Sequence, residues 1–150
     1  MAIDPSDWTP VVDSREQRPY QFDGAVVAGL PAGDYSVLGL ERQIAVERKS
    51  KADAYSSLGH DRERFEREVA RLAEYAYPAI VVESSMARFM IPPPFSRLSP
   101  RSALCSLLAW SVKYRIPVFF ADDRAHGEAA TWHLLEKFVR YVREGGLRRG

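Results

Sequence analysis

An α/β fold, a sheet with helices packed on it, is what this 150-residue sequence predicts, and three observations predict it. Ala79-Ile80-Val81-Val82-Glu83 is a continuous apolar run of the kind found in a strand buried on both faces. Ahead of it, Phe65, Val69, Leu72 and Ala76 recur at helical spacing along one face. Ahead of that, two strand-like runs, 34–40 and 44–49, are close enough to form a hairpin. Hairpin, helix and buried strand in succession make an α/β arrangement.

The remaining elements follow the same logic. Val11-Val12-Asp13-Ser14-Arg15-Glu16 reads as a short strand ending in exposed charges. Residues 17–33, punctuated by Pro19, Gly24, Gly29, Pro31 and Gly33, read as a loop with at most one short element. With Glu41-Arg42 as a two-residue turn, the hairpin pairs Ser36 with Glu47 and Asp34 with Lys49. Ser56 to Gly59 reads as a loop, followed by a helix from about Asp61 to Tyr75 that Pro78 terminates. The opposite face of that helix, with Glu63, Arg64, Arg67 and Arg71, reads as solvated surface. A proline-rich loop spans Met90 to Phe95. Ser99-Pro100 then caps a helix running to about Tyr114, with Leu104, Leu107, Leu108 and Ser111 inward. Residues 116–121 read as another buried strand. A final helix from about Gly127 to Arg143 carries a wide stripe of Ala130, Leu134, Leu135, Phe138, Val139 and Val142.

Composition bounds the function classes. The length suits one domain over 1–150, and 46% hydrophobic with 27% charged residues argues against disordered, fibrous and membrane classes. The start lacks a secretory pattern and no apolar run approaches the ~18 residues of a membrane span. The one cysteine, Cys105, cannot form an internal disulfide and reads as a small buried residue, which suits a reducing, cytoplasmic location. The net charge of +1 hides an asymmetry: residues 1–83 carry 10 basic and 15 acidic side chains, residues 84–150 carry 11 and 5. A basic half suits a polyanion and an acidic cluster suits cations.

The chemistry concentrates in Val46-Glu47-Arg48-Lys49-Ser50-Lys51-Ala52-Asp53. In a strand Glu47 and Lys49 share one face while Arg48 points to the other. Alone, such a triplet also suits a solvated edge strand with cross-strand ion pairs. Asp13, Asp34 and Glu47, however, all fall at ends of strand-like runs, where α/β sheets present functional side chains. Carboxylates brought together repel unless a cation sits between them, and Mg²⁺ suits oxygen ligands. A neighbouring lysine that serves a water completes a recipe for phosphodiester hydrolysis. His60, His126 and His133 form no metal-ligand pattern, and no phosphate-binding glycine loop or nucleophile elbow is present.

Asp34 followed by Glu47-x-Lys49 resembles the PD-(D/E)xK signature of restriction-endonuclease-like nucleases, with Gly33-Asp34 in place of Pro-Asp. The longer ordered set of Val12-Asp13-Ser14-Arg15-Glu16, Gly33-Asp34-Tyr35, Val46-Glu47-Arg48-Lys49 and Asp53 resembles the nuclease domain of the XPF family of structure-specific DNA endonucleases. The motif core spans about 11–83, with a helical and β part at about 97–144. Arg62 or Arg64 followed by Phe65 is similar to that family's Arg-aromatic pair, but Glu66 or Glu68 stands where the family usually has glutamine.

The resemblance implies a restriction-endonuclease-like three-layer fold, a central mixed sheet flanked by helices. It also implies that Asp34 and Glu47 hold catalytic Mg²⁺ (or Mn²⁺) with Asp13 as acidic partner, and that Lys49 serves the attacking water. Arg48 and Asp53 then support the site, with Arg15 and Glu16 beside it. The implied substrate is DNA, branched or at a junction of single strand and duplex. The family joins this domain to a tandem helix-hairpin-helix module not found in this sequence, which bears on substrate specificity, and its members act as dimers through the nuclease domain, so the implied partners are a homodimer or a DNA-binding partner protein. The last helix's stripe, extended by Trp132 and Tyr141, is a candidate interface or simply packs on the sheet. The alternative is a catalytically inactive DNA-binding or partner-binding scaffold of the same fold.

Overall fold

A computed structural model describes residues 7–147. Six strands form one mixed sheet in the order β2-β1-β3-β4-β5-β6. They are β1 (Pro10–Asp13), β2 (Val26–Ala28), β3 (Tyr35–Val37), β4 (Ile44–Ser50), β5 (Tyr77–Glu83) and β6 (Val118–Phe120). β1 runs parallel to β2 and antiparallel to β3, β3 antiparallel to β4, and β4, β5 and β6 run parallel. The C-terminal ends of β1, β4 and β5 and the N-terminal end of β3 therefore share one edge of the sheet. Asp13, Asp34, Glu47 and Glu83 all sit along that edge.

Five helices complete the chain: α1 (Lys51–Leu58), α2 (Arg62–Leu72), α3 (Met86–Phe89), α4 (Pro100–Tyr114) and α5 (Arg124–Glu144). The two-residue period of the strands splits the core in two. Ala45, Ile80 and Val82 point to one side, where they pack with Leu58, Phe65, Leu72, Leu107 and Trp110 of α1, α2 and α4. Ile44, Val46, Ala79 and Val81 point to the other and meet Leu135, Phe138 and Val139 of α5. Helices, sheet and helix make the three-layer fold. Residues of β4 beyond the core keep this alternation, so Glu47 and Lys49 face the α1–α2 layer and Arg48 faces the α5 layer.

Several expectations are corrected. Tyr35 pairs with Val46, so Asp34 lies across from Glu47, not Lys49. The connection is longer than two residues: Leu40 N–H bonds Val37 O and Gln43 N–H bonds Leu40 O, giving consecutive turns through Gly39 at φ +87°. The slip is two residues, which keeps every side chain on its expected face. The segment expected to be a loop before Gly59 is α1, capped by Ser50 Oγ accepting from Asp53 N–H at 3.1 Å. α2 ends at Leu72, well before Pro78, which lies inside β5 opposite Ala45. On α4 the buried row is Ala103, Ser106, Leu107 and Trp110, leaving Cys105 and Leu108 exposed. β6 is the sheet's edge and only half covered, not a fully buried strand. The stripe of α5 packs on the sheet through Leu135, Phe138 and Val139, and Trp132 packs against Trp8 and Phe22.

Candidate active site

Gly33 builds the site's first half. It sits at φ +74°, and a Cβ there would stand 3.0 Å from Ala45 Cβ and 3.3 Å from Val46 O. Only glycine accepts both that backbone and that approach. The turn lets Asp34 N–H bond Val46 O at 2.9 Å, and Arg48 N–H then donates to Asp34 Oδ2 at 2.8 Å. The Asp34 carboxylate is thereby pinned at the end of β4 beside Glu47.

Asp34 and Glu47 line a cavity of about 220 Å³ together with Asp13, Arg15, Glu68 and Arg71. Burial and the charge of Glu16 push Asp34 up to about 7, against the opposing pull of the Arg48 N–H and Lys49. Burial and the Asp34 charge push Glu47 well above the usual carboxylate range, opposed by Lys49. Lys49 Nζ lies 4.0 Å from Glu47 Oε2 and donates to Ser57 Oγ at 2.9 Å. It also sits 4.5 Å from the centre of the Phe65 ring, so its position is held from three directions. Asp34, Glu47 and Lys49 thus converge on one face, as their spacing implies.

The other expected residues separate into groups. Asp13 is buried in the cavity wall, where its Oδ2 accepts from Arg15 Nε at 2.9 Å and its Oδ1 from Leu30 N–H at 2.9 Å. Burial acts to raise its carboxyl, but these donors bring it below the usual range. Each of its oxygens thus already accepts a hydrogen bond, and among the described residues no three His, Cys, Asp or Glu side chains gather closely enough to form a metal cage. The Arg48 side chain lies on the opposite face of the sheet, paired with Glu83 at 2.8 Å and Glu16 at 3.2 Å. Its link to the site is the backbone N–H on Asp34. Asp53 is exposed in the first turn of α1.

Arg62 and Arg64 stand outside the cavity. Arg62 donates to Ser106 Oγ at 2.8 Å and lies over Trp110, whereas Arg64 pairs with Asp61. The residues that sequence reasoning left aside are Glu68, unassigned, and Arg71, taken for solvated surface; both line the cavity. Their signal was present: they lie three apart, hence on one face of α2. His60 pairs with Asp61, His126 with Asp123 and His133 with Glu136, none of them in the cavity.

A family model described as the ERCC4 domain matches residues 12–132. The chain belongs to the ERCC4 domain family. Among solved structures this ERCC4 domain is similar to XPF from Aeropyrum pernix, with a TM-score of 0.71 and 26% identity over 91% of this chain and 67% of that one. It is also similar to XPF from Aeropyrum pernix in complex with DNA, with a TM-score of 0.68 and 28% identity over 89% of this chain and 65% of that one. The chain spans about two thirds of the length of those XPF chains. No curated protein matches it. The mixed six-stranded sheet with flanking helices is the fold of the XPF nuclease domain.

Proposed function

We propose that this ERCC4 domain is a divalent-metal-dependent, structure-specific DNA endonuclease. The observation that carries the reading is the partly buried Asp34–Glu47 pair with Lys49 alongside, on a chain similar to XPF proteins. Two carboxylates held together against their own repulsion suit a cation that neutralises them both. Mg²⁺ or Mn²⁺ fits this donor set, because Mg²⁺ binds through one or two carboxylates and fills its remaining positions with water and substrate phosphate. Asp34 and Glu47 would hold it, with Asp13 bracing Arg15 at the wall. When bound, the ion supplies an activated water and stabilises charge on the phosphoryl oxygen.

The chain's own residues do the rest. Lys49, fixed by Ser57 and Phe65, donates an N–H to the attacking water and orients it in line with the scissile phosphate. Arg15 and Arg71, which line the same cavity, attract the phosphate backbone. Arg48 keeps Asp34 in place through its N–H and is itself anchored by Glu83 and Glu16. Cleavage of flap, fork and single-stranded DNA with Mg²⁺ or Mn²⁺ tests the reading. Glu47→Gln and Lys49→Ala should each lower the rate at least about a hundredfold. Unimpaired cleavage by both variants would remove the site, and no cleavage together with no divalent binding by the unaltered chain would leave a scaffold. Light scattering with and without fork DNA shows whether a second copy joins the complex.

A further inference from the structure

A second concavity, of about 600 Å³, lies between α1 and the loop that precedes α4. Ala52, Tyr55 and Ser56 line one side, with Gly59 and His60 after them, and residues 93–98, Arg97 among them, line the other. The Tyr55 hydroxyl donates to Phe89 O, which fixes the α1 wall. The loop wall is shaped by Pro92-Pro93-Pro94, whose rings restrict the backbone. Next to them Phe95 occupies the left-handed region at φ +66°, a costly conformation for a bulky aromatic residue. Its ring is fully exposed. An aromatic ring held outward by a strained, proline-stiffened loop is not serving the core.

We propose that this groove is a subsite for an unpaired nucleotide, its base stacked on Phe95 and its phosphate met by Arg97. The proposal rests on the reading of the chain as a DNA endonuclease. Three observations favour nucleic acid as the occupant. No carboxylate lines the groove. Among the described residues Arg88, Arg97 and Arg101, close along the chain on both sides of the loop, make no ion pair with an acidic side chain. An exposed aromatic ring beside an arginine, here Phe95 and Arg97, is the combination that grips single strands, because every base presents a face for stacking. Placement adds the fourth. α1 follows β4 without a loop, and its eight residues span about 12 Å, the length of about four stacked nucleotides. With α1 as the link between them, the proposed subsite takes a base a few nucleotides from the bond at Asp34 and Glu47. A fully paired duplex has no base free to enter it, so the subsite favours DNA with a single-stranded arm.

The test uses the full chain in EDTA with forked DNA carrying 2-aminopurine at successive single-stranded positions. Binding should quench the fluorescence at one position within a few nucleotides of the junction. Phe95→Ala should abolish that quenching and weaken fork binding about tenfold, while Phe95→Trp retains both. Affinity for fully paired duplex should not change, and an unaltered melting temperature confirms the fold, since the side chain is exposed. Equal quenching by Phe95→Ala, or equal loss on fork and duplex, overturns the subsite. The same variants assayed with Mg²⁺ separate the two readings. Cleavage indifferent to Phe95 removes the subsite alone. Phe95-dependent stacking without cleavage removes the nuclease reading alone, and no DNA binding removes both.

Discussion

Asp34 and Glu47 are the residues at which burial and charge conflict most sharply, and the conflict has a measurable sign. In metal-free protein, folded Asp34 keeps its proton up to about pH 7, whereas an unfolded aspartate loses it near about 3.9. Glu47 is displaced in the same direction. Between those values the folded state binds more protons than the unfolded state, so stability should fall as pH rises from about 4 to about 7. Asp13, lowered by its donors, stabilises in the opposite sense, but only below that window. Urea melts in EDTA at pH 5 and pH 8 should show the lower midpoint at pH 8, and Asp34→Asn should flatten the difference. A wild-type midpoint that is unchanged or higher at pH 8 would remove this account of the pair. Gly33 supplies a second residue-scale prediction. Gly33→Ala places a methyl group against Ala45 and Val46 at a positive φ and should destabilise by about 1–3 kcal/mol, read by denaturant titration. A neutral substitution would mean that the turn does not depend on glycine.

At the scale of elements, the sequence shows why some readings survive errors in others. The hairpin register was displaced because Gly39 and the turns at Leu40 and Gln43 lengthen the connection, which residue types alone do not reveal. A two-residue slip leaves faces unchanged, so the convergence of Asp34, Glu47 and Lys49 was legible although the pairing was not. α1 was illegible for a different reason: small and polar residues over Lys51–Ser57 carry no apolar period, and the burial of Ala54, Tyr55 and Leu58 is imposed by tertiary packing. Its cap, Ser50 followed three residues later by Asp53, was the available signal. Because α1 also carries Ser57, which holds Lys49, the cap supports the site. Ser50→Ala should cost about 1 kcal/mol in a thermal or urea melt. A loss well under half of that would show that packing alone holds α1.

For the whole molecule, the two-sided core explains what was readable. Ala79 to Val82 is buried on both faces because helices cover both, and a continuous apolar run is the direct record of that. The stripe of α5 was equally visible, but a stripe has the same pattern whether it meets a sheet or another chain. Here Leu135, Phe138 and Val139 meet the sheet, so Phe138→Ala should destabilise the fold by about 3–5 kcal/mol. A loss under about 1 kcal/mol would contradict that packing. The site was legible as a set of residue types at strand ends. Glu68 and Arg71 were missed because their role depends on how α2 crosses the sheet. Arg48 sits inside the Glu47-x-Lys49 signature, and its side chain's pairing with Glu83, 35 residues away in sequence, exists only in the folded chain. The claim on which the functional account rests is that Asp34 and Glu47 together hold one divalent cation. Calorimetric titration of Mn²⁺ into metal-free protein measures it most directly. The account predicts one binding event that releases protons at pH 6.5 and is abolished by Glu47→Gln and by Asp34→Asn. Binding of unchanged affinity in both variants, or no binding by the unaltered protein, would contradict it.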